Sequence, residues 1–182
     1  MRNRTFKWLV IVVLTQISSM AYAQFSVSTN LSLVKPEGKI FFWGGELSGH
    51  FSLSDNFRVG VSAGYHKNIP TWMADKETGV EQKVWSTAKP ITLSGEYFFF
   101  QDKVSPYVGL HAGVLALGNR YENYRMHRYY TYVSPVLGVE YKLTRKLSVS
   151  LKLKYGVGLS KHNDPARLQT FTAGIGVVHH FQ

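Results

Sequence analysis

The closing stretch of the chain constrains its fold more than any other feature. From Phe171 the sequence runs FTAGIGVVHHFQ to Gln182. Phe171, Ala173, Ile175, Val177 and Phe181 occupy one set of alternate positions, and Thr172, Gly174, Gly176 and His180 the other. An extended strand sends successive side chains to opposite faces, so this segment has one apolar face and one small or polar face.

Seven more segments alternate in the same way, at about 24–35, 40–53, 57–66, 85–99, 105–117, 129–143 and 147–159. The last of these is the cleanest. Leu147, Val149, Leu151, Leu153, Tyr155, Val157 and Leu159 face Ser148, Ser150, Lys152, Lys154, Gly156 and Gly158. Links at 54–56, 101–103 and 144–146 are hairpin-short. The links 67–84, 118–128 and 160–168 are longer, and 36–39 is the exception on that side. The pattern predicts an all-β fold: an eight-stranded antiparallel up-and-down transmembrane β-barrel, with short turns at one end and long loops at the other.

The N-terminus is of another kind. Arg2, Arg4 and Lys7 precede an apolar run from Trp8 to Leu14, and Ala21-Tyr22-Ala23 forms a small-x-small site. This is the layout of a secretory signal peptide. The apolar run falls far short of the ~18 residues a membrane-spanning helix needs. Residues 1–23 are therefore expected to be a cleaved signal peptide and 24–182 one barrel domain. No later run reaches helix-spanning length, so only a closed barrel satisfies every backbone polar group within a bilayer. There is no cysteine, which excludes disulfides and a lipid-anchored N-terminal Cys. The formal net charge is +10, three units of it in the leader. For an exported chain, lipopolysaccharide phosphates and acidic glycans are the expected partners of such a balance, and nucleic acid is not.

A soluble barrel of the lipocalin kind would also alternate, with its polar face outward. Two rings of aromatics on the apolar faces favour the membrane form. Trp43, Tyr65, Tyr129 and Phe171 lie at the long-loop end, and Phe57, Tyr97, Phe99, Tyr141 and Phe181 at the other. Such rings form girdles at membrane interfaces.

On these grounds the chain resembles the small eight-stranded outer-membrane β-barrels of the OmpA/OmpX type over about 24–182. The resemblance implies the Gram-negative cell outer membrane as location, a side-chain-filled lumen and no cofactor. It also implies that the barrel-assembly machinery recognises the C-terminal strand with its terminal aromatic. It specifies architecture and no catalytic motif. The expected role is non-enzymatic and monomeric: envelope integrity, or surface interaction such as adhesion to a surface ligand or host protein and lipopolysaccharide contact.

Eight strands enclose a bore only wide enough for side chains to fill. Glu46, Arg58, Glu96, Glu140, Lys152 and Lys154 fall on the inward face. Buried charges must pair, so an ion-pair network plugging the lumen is expected, centred on Glu96, Glu140, Arg58 and Lys152. The alternative is a narrow porin-like channel lined by the same groups. His179 and His180 are strand neighbours on opposite faces and cannot chelate one metal ion together. Ser160, His162 and Asp164 raise the other alternative, a lipid A-modifying acyl-transfer enzyme. The strand face that carries His and Ser in such enzymes holds only Leu, Val and Tyr here. The segment 119–132, NRYENYRMHRYYTY, is expected to be a surface loop. Its candidate binding residues are Arg120, Tyr121, Tyr124, Arg125, Arg128 and Tyr130, because guanidinium groups pair with phosphate and tyrosine offers flat amphipathic surface.

Overall fold

A computed structural model describes residues 24–36, 41–74, 81–120, 125–159 and 167–181. The expected signal peptide, 1–23, lies outside the described residues. The strands are β1 (Phe25–Pro36), β2 (Phe42–Ser52), β3 (Phe57–Asn68), β4 (Thr71–Ala74), β5 (Glu81–Phe98), β6 (Val104–Arg120), β7 (Arg125–Lys142), β8 (Leu147–Leu159) and β9 (Arg167–Phe181). All pair antiparallel. β1 pairs with both β2 and β9, and β3 pairs with β5, so eight strands close into a barrel. β4 stands outside the ring and, among the described residues, pairs with β5 alone.

The short links owe their geometry to local sequence. Leu53 N donates to Phe57 O at 2.9 Å, and Leu143 N to Leu147 O at 2.9 Å. Inside these hairpins the Ser54 hydroxyl accepts from Phe57 N, and the Thr144 hydroxyl from the amides of Lys146 and Leu147. Hydroxyl-to-backbone bonds of this kind stand in for a backbone turn.

Burial is inverted relative to a soluble protein. On β8, Ser148, Ser150, Lys152 and Lys154 are buried, whereas Leu151, Leu153, Tyr155 and Leu159 are exposed. The same holds round the ring: Leu31, Leu47, Ile91, Leu93, Leu110, Leu137 and Ile175 all face outward. A continuous apolar exterior of this extent is stable only against hydrocarbon. The soluble-barrel reading, which needs the opposite faces, is overturned.

Two expectations about strand length are corrected. β3 runs to Asn68 and β5 begins at Glu81, so the expected loop 67–84 is strand at both ends and carries β4 besides. The expected loop 119–132 is mostly strand. β6 and β7 pair without interruption as far as Arg120↔Arg125. The β7–β8 ladder ends at Thr131↔Leu159, so the upper β6–β7 hairpin rises past β8. The polar and aromatic mixture of that stretch reads as loop because, above the membrane, no lipid enforces a greasy face.

Candidate functional site: the barrel lumen and its outer rim

Arg58 on β3 is the centre of the lower lumen. Its Nε donates to Glu96 Oε2 at 2.5 Å, and its Nη1 donates to Glu140 Oε2 at 2.9 Å. Arg58 and Glu96 are directly paired positions of β3 and β5, whereas Glu140 is reached across the bore on β7. Beneath the guanidinium lie the rings of Phe98 at 4.6 Å and Tyr107 at 5.3 Å. Two histidines close the outer lone pairs. His111 Nε2 lies 3.2 Å from Glu96 Oε1, and His180 Nε2 lies 2.8 Å from Glu140 Oε1. His179, its neighbour, points outward and packs its ring 4.7 Å from that of Phe181.

A second pair sits higher. Lys154 Nζ on β8 donates to both oxygens of Glu46 on β2, each at 2.7 Å. Lys152 departs from expectation. Its ammonium is buried, with no hydrogen-bond partner among the described residues. It lines a cavity of about 10 Å³ with Asn30, Ser32, Glu46, Lys154 and Thr172. Arg58 engages two carboxylates at once and Lys154 takes the third, so Lys152 is left outside the ion pairs.

Glycines make room for this filling. A Cβ on Gly138 would fall on the ring of Tyr107, and one on Gly156 on that of Tyr132. Above the ion pairs the bore turns apolar. Val34, Phe42, Ala88, Leu115, Tyr130 and Tyr132 form a buried cluster, with Leu117 and Leu168 packed against it. The space between this cap and the Glu46–Lys154 pair measures about 30 Å³, room for a water or two. Sequence reasoning missed the cap. Its signal was an apolar residue on the inward face at the upper end of several strands, such as Val34 and Leu115.

The candidate surface residues divide. Tyr130 is 5% exposed and belongs to the cap, because its strand parity turns it inward; its assignment to a binding surface is corrected. Arg128 is exposed. Arg120 and Arg125 occupy the last rung of the β6–β7 ladder. Tyr121 and Tyr124 lie outside the described residues, as do Ser160, His162 and Asp164. The girdle residues Trp43, Tyr65, Tyr97, Phe99, Tyr129, Tyr141 and Phe181 are all outward and exposed.

At the long-loop end, outward lysines rest on outward aromatics. Lys35 lies over Phe41, Lys67 over Trp43, Lys83 over Trp85 and Lys89 over Tyr65, at 5.0–5.5 Å from the ring centroids. This combines interface anchoring with positive charge at the level where lipid headgroups begin.

Residues 9–181 match the outer membrane protein beta-barrel domain family, and the chain belongs to it. Curated protein sequences give no match. Among solved structures, Neisserial surface protein A superposes with a TM-score of 0.65 at 15% identity, over 87% of this chain and 97% of that one. Ail of Yersinia pestis, in complex with the heparin analogue sucrose octasulfate, gives 0.56 at 16% identity, over 87% and 97%. The N-terminal β-barrel domain of Pseudomonas aeruginosa OprF gives 0.56 at 20% identity, over 87% and 99%. These share the fold, and the family places the chain in the outer membrane.

Proposed function

We propose that this member of the outer membrane protein beta-barrel domain family is a closed, non-enzymatic barrel. In this reading it serves the envelope through its outward surface by contacting lipopolysaccharide, after export by the signal peptide 1–23 and assembly through strand β9. The observation that carries the reading is the two-layer filling of the lumen. Arg58, Glu96 and Glu140 in the lower bore and Glu46 and Lys154 above them fill the lumen with charge-assisted hydrogen bonds, and the apolar cluster of Phe42, Leu115, Tyr130 and Tyr132 occupies the mouth. Among the described residues, the lumen cavities of about 10 and 30 Å³ have room for no more than a water or two each. A filled bore leaves the exterior as the working surface, and there the lysine–aromatic pairs at the outer rim support contact with phosphorylated headgroups.

A liposome-swelling assay tests the closed lumen. Vesicles carrying the folded protein should resist influx of small sugars as protein-free vesicles do. Swelling that scales with protein content would replace this reading with the narrow porin-like channel. Lipid A mass spectra from cells with and without the protein test the non-enzymatic part, and should be identical. A change in acyl-chain number would favour an acyl-transfer enzyme.

A further inference from the structure

The upper rim carries a groove that the lumen does not use. Lys67, Thr87, Gly118 and His127 form one continuous rung across β3, β5, β6 and β7. Lys67 and His127 are exposed at its two ends, and the small residues Thr87 and Gly118 lie between them. Trp85 and Tyr65 stand above and below, and together these side chains outline a groove of about 550 Å³. That is within the range of pockets that hold small ligands.

Polar groups converge on its floor. A Cβ built on Gly118 would lie 2.9 Å from Thr87 Oγ1 and 3.3 Å from His127 Nδ1, so both atoms border the space that the glycine leaves open. Among the described residues, none that lines it is acidic. Lys67 lines one wall and carries a cation that rests over Trp43 on the adjoining β2, and Lys83 and Lys89 sit over the groove's own aromatics, Trp85 and Tyr65. The rung below carries Lys89, Ala116 and Tyr129, with Tyr129 in the outer aromatic girdle. The groove therefore opens at the depth of outer-leaflet headgroups.

From this geometry we infer that the Gly118 groove is a binding site for a phosphorylated sugar headgroup of the outer-leaflet glycolipid. Lys67 and the Thr87 hydroxyl take the phosphate, and the Trp85 and Tyr65 rings take the sugar face. The inference rests on the lipopolysaccharide-contact reading and adds the site and the headgroup chemistry.

The test is native mass spectrometry of the folded protein, released from mixed micelles containing either lipid A or fully dephosphorylated lipid A. Wild type should retain one lipid A and discriminate against the dephosphorylated form. Gly118→Leu fills the groove floor, with only a rotatable hydroxyl and a ring edge in its way. Lys67→Gln removes the wall cation. Each should weaken retention about tenfold, the scale of one charge-assisted contact. Ala173→Leu, on β9 away from the groove, should retain the lipid as wild type does. Folding of every variant is checked by the heat-dependent gel shift, and Lys67→Gln decides the matter if Gly118→Leu fails to fold. Equal retention of both lipids by wild type would overturn the lipopolysaccharide reading itself. Selective retention that survives both groove variants would overturn the groove and leave that reading standing. Displacement of lipid A by millimolar inorganic phosphate would reduce the site to a simple anion site and overturn the glycolipid assignment.

Discussion

Arg58 on β3 reaches across the lumen to Glu140 on β7, 82 residues away in sequence, with Nη1 2.9 Å from Oε2. The same guanidinium holds Glu96 through Nε. One cation thus ties three strands of the ring together near the short-turn end. The energetic consequence is asymmetric. Removing the arginine strands two buried carboxylates, whereas removing one carboxylate leaves the arginine a partner.

Arg58→Leu should accordingly destabilise the barrel by about 3–5 kcal/mol, the cost of breaking a buried pair from one side. Glu140→Gln should cost less, roughly 1–3 kcal/mol, because the amide oxygen still accepts and Glu96 still balances Arg58. Urea unfolding in lipid vesicles measures both. Equal losses would mean that the Arg58–Glu96 bond does not persist without Glu140.

A second comparison concerns Lys152. Glu46 is the carboxylate beside both Lys152 and Lys154 in the upper lumen. Glu46→Gln leaves two buried ammonium groups facing one amide. Lys154→Met leaves Glu46 beside the otherwise unpartnered Lys152. Glu46→Gln should therefore be the more destabilising, by about 1–2 kcal/mol, the scale of an unsatisfied buried polar group. The reverse order would show that Lys152 is satisfied elsewhere.

Much of this was legible from residue order, and the limits are physical. Period-two alternation placed Arg58, Glu96, Glu140, Lys152 and Lys154 on the inward face, and the outward aromatics near the strand ends. Which lysine meets Glu46 was not legible. Lys152 and Lys154 share a strand face and differ only in height, and height across the bore depends on the stagger of eight strands. The ring of histidines around the carboxylates was half visible, since His111 and His180 already stood on the small-residue faces. The upper β6–β7 hairpin was lost for a different reason. Its strand character comes from pairing with its neighbour, and outside the membrane that pairing demands no apolar face. Tyr130 therefore looked like a loop aromatic, although parity turns it into the cap.

Packing inside the lumen should be intolerant of added volume where rings lie on glycine. Gly138 faces the ring of Tyr107 so closely that a Cβ would overlap it. Gly138→Ala should cost about 1–3 kcal/mol as overpacking. Tyr107→Leu in the same chain should recover part of that loss. A double variant no better than the sum of the singles, in the same urea titration, would show that the two residues do not share the space.

The outward face should respond to charge according to depth. Leu151 lies at the middle of β8 and Leu159 at its upper end, on the same exposed face. Leu151→Arg should cost roughly 2–4 kcal/mol and Leu159→Arg about 0–1 kcal/mol, since an arginine near the interface reaches water. Refolding yields into vesicles report both. A similar penalty at the two positions would mean that this face does not cross the bilayer.

The central claim is that the bore is closed by its own side chains, from the Arg58 network up to the Tyr130–Tyr132 cap. Planar-bilayer recording addresses it most directly. Folded wild-type protein inserted into the membrane should leave the current at baseline across the applied voltages, with no discrete open level. Stable, reproducible conductance steps from the wild-type barrel would contradict the closed lumen and turn the same charged residues into the lining of a channel.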